Sequence, residues 1–461
     1  VDVLKIPDGR KIRCLFGTDG VRDVANRGVM TPEMAMRLGR AFVLFLTEKG
    51  VPRPSLVIGR DTRRSGQMIE SAVIAGLTSA GAYVKVIGVS PTPEVSYAVK
   101  ASGLHGGVVI SASHNPAEYN GIKFLDSKGC KLSDDDEIAI EEYLEDNFLD
   151  DWRPTGASIG TYECDVDIRD SYLKRLWGLF SDSRANKIFC VVDCANGAAS
   201  EVIPELVERY DLNWEIIGNE PDGININDRY GVMDLANLRK RVLESKAELG
   251  IAFDGDADRV LLMDSSGRVI DGDIMMWILS LWLDSERAIG SGLTATVMSN
   301  MALEDHLSNK GIAVHRCPVG DRYVFKTMRE KGSKIGGEQS GHLIIDGFST
   351  TGDGPCTGIL FLKACCEVGL DIQTLADRFQ RYPQLLTNIC VSDHRRIIND
   401  PEFKSMLDQA NEKLQGLGRI FVRPSGTEPL LRVLVEARDE VLLEQVSGQL
   451  VQDIRQHYSL N

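Results

Sequence analysis

Ser55-Leu-Val-Ile-Gly-Arg-Asp-Thr-Arg-Arg-Ser-Gly66 decides how this chain is built. Its apolar start has the length of a strand, and it breaks off at a glycine followed by charged and small residues. A helix follows to about Ala80, and Tyr83 to Ile87 reads as the next strand. Strand, helix and strand in that order imply a parallel connection. In open α/β sheets, ligands and chemistry collect in the loops at the carboxyl ends of such strands.

Working outward, the preceding segment is Leu15-Phe-Gly-Thr-Asp-Gly-Val-Arg22, glycine-rich and ending in an arginine. A helix follows it. Thr31 suits the N-cap, Pro32 the first helical position, and Met34, Leu38, Phe42 and Phe45 one apolar stripe. Gly50 stops it. On the other side lies Gly107-Val-Val-Ile-Ser-Ala-Ser-His-Asn-Pro116, a short buried strand running into a polar loop. Ser113 is the candidate nucleophile. A serine hydroxyl is weak at its free pKa, so it must be activated or already carry the group to be transferred. His114 is the next residue, and in an extended chain neighbours point to opposite faces. No local base is therefore expected. Lys123 follows closely, and Ser133 to Asp146 reads as an acidic, solvated helix.

The plan recurs twice. Lys187 to Val192 is a strand before Asp193-Cys-Ala-Asn-Gly197, and Leu249 to Phe253 is a strand before Asp254-Gly-Asp-Ala-Asp-Arg259, with a hairpin after it. Thr294 to Met298, Ala313 to Arg316 and Lys334 to Gly336 are strands of a third segment, which runs into Gly337-Glu-Gln-Ser-Gly-His342. The tail differs, with two strands flanking Arg423-Pro-Ser-Gly-Thr-Glu-Pro429 and a helix from about Glu440. The fold class is α/β. Three similar α/β domains are expected over 1–164, 165–264 and 265–381, with a smaller C-terminal α+β domain over 382–461. Similarity between the three is too weak to establish a repeat.

At 461 residues the chain exceeds one ordinary core. A net charge of −15 argues against nucleic acid or an anionic membrane as partner, so an anionic ligand would need its positive groups concentrated in one place. The longest apolar run, Ile274 to Leu283, is too short to span a bilayer, and Val1 to Arg10 has no signal-peptide pattern. The ten cysteines are scattered without a CxxC pair, which fits free thiols in a reducing cytoplasm.

Asp254, Asp256 and Asp258 alternate at the end of an apolar strand. That spacing suits three carboxylates converging on one hard cation. An EF-hand is excluded, because Arg259 stands where its glycine must be and Ser265 where its glutamate must be. Arg423, Ser425, Gly426 and Thr427 offer a guanidinium, hydroxyls and free N–H groups suited to a phosphate, with Arg432 on the next strand. Glu338, Ser340 and His342 alternate, so an extended chain would project all three to one side, to grip sugar hydroxyls. Arg22, Arg60 and Lys123 add positive charge from other loops. Together these suggest phosphoryl transfer to a sugar phosphate, a reaction that depends mostly on positioning and charge stabilisation.

On four motifs in order, the chain resembles the α-D-phosphohexomutase family over nearly its whole length. They are Ser111-Ala-Ser-His-Asn-Pro116, Asp254-Gly-Asp-Ala-Asp-Arg259, Gly337-Glu-Gln-Ser-Gly-His342 and Arg423-Pro-Ser-Gly-Thr-Glu-Pro429. Phe16-Gly-Thr-Asp-Gly-Val-Arg22, Asp193-Cys-Ala-Asn-Gly197, Glu338-Gln-Ser-Gly-His342 and Thr350-Thr-Gly-Asp-Gly354 resemble its glucosamine branch more than its mannose/glucose branch. The resemblance implies three three-layer α/β/α domains and a C-terminal domain around a central cleft. It implies a phosphorylated Ser113 that completes the sphere of one magnesium ion with Asp254, Asp256 and Asp258. It further implies a hexosamine phosphate substrate passing through a 1,6-bisphosphate. Arg22 and Arg259 would stabilise charge, and Lys123 or His342 would handle the sugar-hydroxyl proton, Lys123 being preferred. Homodimer formation is left open. The chain departs from the family in a longer lead-in before Phe16, in Asp23 where glycine is usual, and in Asp228-Arg-Tyr-Gly231. Three other readings compete: phosphomannomutase/phosphoglucomutase activity, an aspartyl-phosphate phosphatase with Asp254 as nucleophile, and a sugar-phosphate sensor without catalysis.

Overall fold

The computed structural model describes residues 15–17, 19–145, 148–369, 371–391, 394–424 and 430–458. The chain divides into two compact units. One runs to Thr296 and resumes from His315 to Ala376; the other joins Val297–Val314 to the chain from Asp377 onward.

The first unit is built on three sheets. Strands β1 (Val21–Val24), β2 (Ser55–Arg60), β3 (Tyr83–Val89), β4 (Gly106–Ile110), β5 (Tyr119–Leu125) and β6 (Thr161–Cys164) lie in the order β1-β5-β4-β2-β3-β6. The expected parallel pairing of β2 with β3 is present, and β2 also pairs in parallel with β4. Strands β7 (Cys190–Asp193), β8 (Trp214–Ile217), β9 (Leu249–Phe253), β10 (Val260–Asp264) and β11 (Val269–Ile270) follow in the order β11-β10-β9-β7-β8. Strands β12 (Leu293–Thr296), β13 (Val314–Cys317), β14 (Ile335–Gly337) and β15 (Leu343–Ile345) lie in the order β13-β12-β14-β15.

One topology recurs in all three sheets: β5-β4-β2-β3, β10-β9-β7-β8 and β15-β14-β12-β13. Each time the last parallel strand turns back into an antiparallel neighbour. The loops at these three turns are residues 111–118, 254–259 and 338–342, the three that carry the sequence motifs. The repeat that the sequence could not establish is therefore a repeat of connectivity.

Apolar faces explain the layers. Helix Pro32–Glu48 starts where expected, with the Thr31 hydroxyl accepting the Met34 N–H, and it buries Leu38, Phe42 and Phe45. It crosses helix Gly66–Ser79 at Gly76, where a Cβ would lie 2.1 Å from the Met36 carbonyl oxygen. The apolar run Ile274–Leu283 forms most of helix Gly272–Ser285, which is buried nearly all round, as such a helix must be. No helix among the described residues is long and apolar enough to cross a membrane.

One expectation needs correction. The acidic helix, Asp134–Glu145, is not simply solvated: Glu137 and Glu141, one turn apart, are buried beside Ile140. Glu141 accepts the N–H groups of Leu15 and Phe16, both at 2.8 Å, and Glu137 pairs with Arg322 at 2.9 Å. Asp23, standing where the family usually has glycine, lies in β1 and accepts the Val24 and Val29 N–H groups at 2.7 and 3.1 Å, closing the turn that follows.

The second unit contains an antiparallel sheet of β16 (Gln384–Cys390), β17 (Gly418–Pro424) and β18 (Leu430–Ala437), in the order β16-β18-β17. Helices Pro401–Leu414 and Glu440–His457 close its core around Phe403, Leu431, Val433, Leu450 and Ile454. Residues 297–314, which the sequence reading gave to the third α/β segment, are tied in through Asn300. Its amide donates to the Tyr382 carbonyl and to Gln384 Oε1, each at 3.0 Å.

Candidate active site

The serine loop begins where β4 ends. Ser111 Oγ donates to Asp61 Oδ2 at 2.7 Å and accepts the Ser113 N–H at 2.8 Å. Ser113 is buried and has φ 51°, the left-handed region that non-glycine residues rarely occupy. The conformation is held by Arg63, fully buried and paired with Asp61 at 2.9 Å. Its guanidinium donates to the carbonyls of Ser113 (3.0 Å), Asn115 (2.7 Å), Tyr119 (3.0 Å) and Pro116. Asn227 donates to the Ser113 and Asn115 carbonyls from the other side, at 2.9 and 3.1 Å.

The left-handed turn overturns the expectation that His114 points away from Ser113. The chain there is not extended, and His114 Nδ1 lies 3.3 Å from Ser113 Oγ. Burial, with Arg259 and Arg22 nearby, lowers the His114 pKa to about 4, so the ring is neutral near pH 7.

The aspartate loop follows β9. Asp254, Asp256 and Asp258 are buried, and one carboxylate oxygen of each lies within 4.8 Å of the others. Ser113 Oγ donates to Asp254 Oδ2 at 2.5 Å. Gly255 permits this approach, since a Cβ there would lie 2.5 Å from the Ser113 carbonyl oxygen. Asp256 Oδ2 accepts from Thr92 Oγ1 at 2.6 Å and Lys123 Nζ at 2.8 Å, whereas Asp256 Oδ1 and Asp258 Oδ1 are buried and accept no hydrogen bond among the described residues. Burial, reinforced by Asp258 and Asp256, drives the Asp254 pKa far upward. Burial also opposes charge on Asp256, but Lys123 overcomes it and keeps that carboxylate ionised. Three convergent carboxylates with orphaned oxygens suit a hard divalent cation such as magnesium.

The other candidates fall into three groups. Lys123 on β5 is buried and lies 2.9 Å from Asp19, 2.8 Å from Asp256 and 3.7 Å from Asp258. Burial disfavours its charge, yet these acids raise its pKa well above the ordinary lysine value. Arg22 bonds Asp19 at 2.9 Å and Asn115 Oδ1 at 3.1 Å, and Arg259 Nε lies 3.9 Å from Asp258. Arg60 turns instead to Glu70, at 3.2 Å.

Glu338, Ser340 and His342 do not line one side of an extended strand, because 338–342 is the turn of the β14–β15 hairpin. Glu338 accepts the Gly320 N–H at 3.0 Å and the Ser340 hydroxyl at 3.4 Å. His342 is buried, 3.9 Å from Asp258 and 3.7 Å from Asp321, and its Nε2 accepts the Gly352 N–H. In the second unit Arg423 and Arg432 are cross-strand partners on β17 and β18. Ser425, Gly426 and Thr427 lie outside the described residues. Sequence reasoning missed Arg63, Asn227, Thr92 and Asp19. Arg63 left a signal as part of a charged cluster immediately beyond a strand, and Asp19 as part of the glycine-rich Leu15–Arg22 segment.

A serine hydroxyl against a triad of carboxylates that could hold a metal ion, on tandem α/β domains, is an arrangement suited to an enzyme of group transfer. Models of the phosphoglucomutase/phosphomannomutase α/β/α domains I, II and III match residues 13–150, 170–267 and 271–382, and the C-terminal domain model matches 386–452. The chain belongs to this family, the α-D-phosphohexomutases. It is 43% identical over 447 residues to a phosphoglucosamine mutase of Pelotomaculum thermopropionicum, covering 96% of this chain and 99% of that one. To a phosphoglucosamine mutase of Bacillus subtilis it is 42% identical, with 96% and 99% covered. Its fold is similar to that of a phosphoglucomutase/phosphomannomutase family protein of Burkholderia thailandensis, with TM-score 0.80 at 23% identity over 97% and 98% of the two chains.

Proposed function

We propose that the enzyme interconverts glucosamine 6-phosphate and glucosamine 1-phosphate, with Ser113 carrying a phosphoryl group at rest. One observation carries this reading: the Ser113 hydroxyl is 2.5 Å from Asp254 in a triad with two buried oxygens that accept no hydrogen bond among the described residues. A serine that already holds the group needs no strong base to begin. The identity of 42–43% to the phosphoglucosamine mutases supports glucosamine rather than glucose or mannose as the sugar.

In this reading Asp254, Asp256 and Asp258, with the Ser113 phosphoryl group, hold one magnesium ion, whose charge stabilises transferring phosphoryl oxygens. The phosphoryl group leaves Ser113 Oγ for the free sugar hydroxyl, giving a 1,6-bisphosphate. The other phosphate then returns to Ser113 Oγ, and the isomeric monophosphate departs. Lys123, held as an ammonium by its acids, supplies positive charge and gives a proton to the leaving Ser113 Oγ, while the proton of the attacking sugar hydroxyl passes to His342; the return transfer moves both protons back. Arg22 and Arg259 offset phosphoryl charge, and Glu338 with Ser340 grips the sugar. Arg423, Ser425, Gly426, Thr427 and Arg432 hold the non-reacting phosphate. A cytoplasmic enzyme supplying amino-sugar nucleotides for cell-wall synthesis goes with this reading. The nine described cysteines, none of them paired, are consistent with it.

Turnover of glucosamine 1-phosphate and glucose 1-phosphate, measured side by side, tests the assignment. The amino sugar should be strongly preferred. Equal or better use of glucose 1-phosphate would make this a phosphoglucomutase.

A further inference from the structure

We propose that Lys131 is a positioning residue of the transfer site, tying Asp19 to Asp321 so that Lys123, Arg22 and His342 keep their places. The proposal rests on the roles given to those three residues above. Lys131 lies just beyond β5 with its side chain 10% exposed, and its ammonium pairs with Asp19 Oδ1 and Asp321 Oδ2. Asp19 Oδ2 in turn holds Lys123 Nζ and Arg22 Nη2, both at 2.9 Å. Lys123 continues to Asp256 at 2.8 Å. On the other arm Asp321 lies 3.7 Å from His342, which is 3.9 Å from Asp258. The chain of charged and polar groups thus starts and finishes on acids of the metal triad, with Lys131 at its midpoint.

The second arm reaches further. Asp321 opens helix Asp321–Lys331, and the N–H of the preceding Gly320 is the donor that holds Glu338, at 3.0 Å. Lys131 therefore anchors the helix start that holds the sugar-gripping glutamate and sets the carboxylate lying beside His342. Stability does not explain such an arrangement. Buried ion sets can often be replaced by apolar groups at no cost, because desolvation consumes the Coulombic gain. What they hold well is geometry, and reacting groups are sensitive to small displacements.

The test compares Lys131→Met and Lys131→Arg with the full-length wild type. Per folded molecule, Lys131→Met should lower kcat on glucosamine 1-phosphate by on the order of 100-fold while KM moves by less than about threefold, the mark of misplaced chemistry. Lys131→Arg should recover most of the loss. The second readout is independent of turnover. The imidazole nitrogen signals of His342, assigned with His342→Gln, should shift in Lys131→Met, and those of His306 and His457 should not. If Lys131→Met fails to fold, Asp321→Asn takes its place and should shift the same signals. An unmoved His342 signal overturns the proposal, as does a folded Lys131→Met with wild-type kcat. If the wild type itself does not interconvert the sugar phosphates, the functional reading fails, and the His342 signal still decides the positioning role.

Discussion

The serine loop and the aspartate loop occupy equivalent places in their sheets, yet they are finished in opposite ways. Around residues 111–116 the polar groups are closed off: Arg63 spends its guanidinium on four carbonyls and Asp61, Ser111 bridges Asp61 to the Ser113 amide, and Asn227 binds from the far side. Around residues 254–259 two buried carboxylates keep an oxygen that accepts no hydrogen bond from the described residues. A buried acceptor left open costs on the order of 1–3 kcal/mol, so the chain carries a penalty in the second loop that it avoids in the first. The difference teaches which atoms are scaffold and which are ligands. The donors that hold the strained Ser113 backbone are engaged, with Asn227 Oδ1 the one buried cradle atom left open, whereas two of the three carboxylates suited to a cation keep an open oxygen.

The strongest challenge to this contrast is Ser113→Ala. It removes the reacting oxygen and leaves the cradle intact, so turnover should fall by at least ~1000-fold with a nearly unchanged unfolding midpoint. Substantial residual turnover would mean that the cradle serves something other than a donor serine. Arg63→Met attacks the closed side. It orphans several buried carbonyls and strips Asp61 of its cation, and urea unfolding should show a loss of about 3–5 kcal/mol. A loss below about 1 kcal/mol would show that the bonds to Arg63 are dispensable.

Magnesium should act on the open side alone. At about one hundred times its dissociation constant it should raise the wild-type unfolding free energy by about 2.7 kcal/mol, and most of that gain should vanish in Asp258→Asn. Chelation should abolish turnover, and magnesium should restore it. An equal gain in Asp258→Asn would place the ion elsewhere.

A smaller effect concerns Asp193, a carboxylate closed by the Ala195 and Gly231 N–H groups at 2.9 and 2.8 Å. Burial raises its pKa to about 7 despite those two donors, and the charge of Asp234 adds to the rise. Between the ordinary aspartate value and about 7 the folded chain holds a proton that the unfolded chain has released. The Asp193 contribution to stability therefore falls as pH rises through that window and is level above it. Unfolding free energies measured across the window should show a slope in the wild type that is reduced in Asp193→Asn. An unchanged slope would assign the pH dependence to other groups.

Much of the site was legible because its chemistry is local in sequence. Asp254, Asp256 and Asp258 sit in one loop, and the apolar strands before Ser111 and Asp254 announce where those loops lie. Three features were not legible, each for a physical reason. The contact between His114 and Ser113 depends on a left-handed φ at a residue that is not glycine, which no alternation rule anticipates. The work of Arg63 is done on backbone carbonyls 50 or more positions away, and carbonyls leave no trace in a sequence. The alternation of Glu338, Ser340 and His342 imitated a strand but belongs to a hairpin turn. Connectivity, likewise, repeats across three sheets without repeating residues.

The most direct test of a stored phosphoryl group is transfer of label. The enzyme is mixed with glucosamine 1-phosphate carrying radiolabelled phosphate, and its peptides are separated under conditions that preserve both phosphoserine and acyl phosphate. Label on the peptide containing Ser113, stable to hydroxylamine, is the result expected here. Label on the Asp254 peptide that hydroxylamine releases, or a protein that takes up none while turning over substrate, would contradict it.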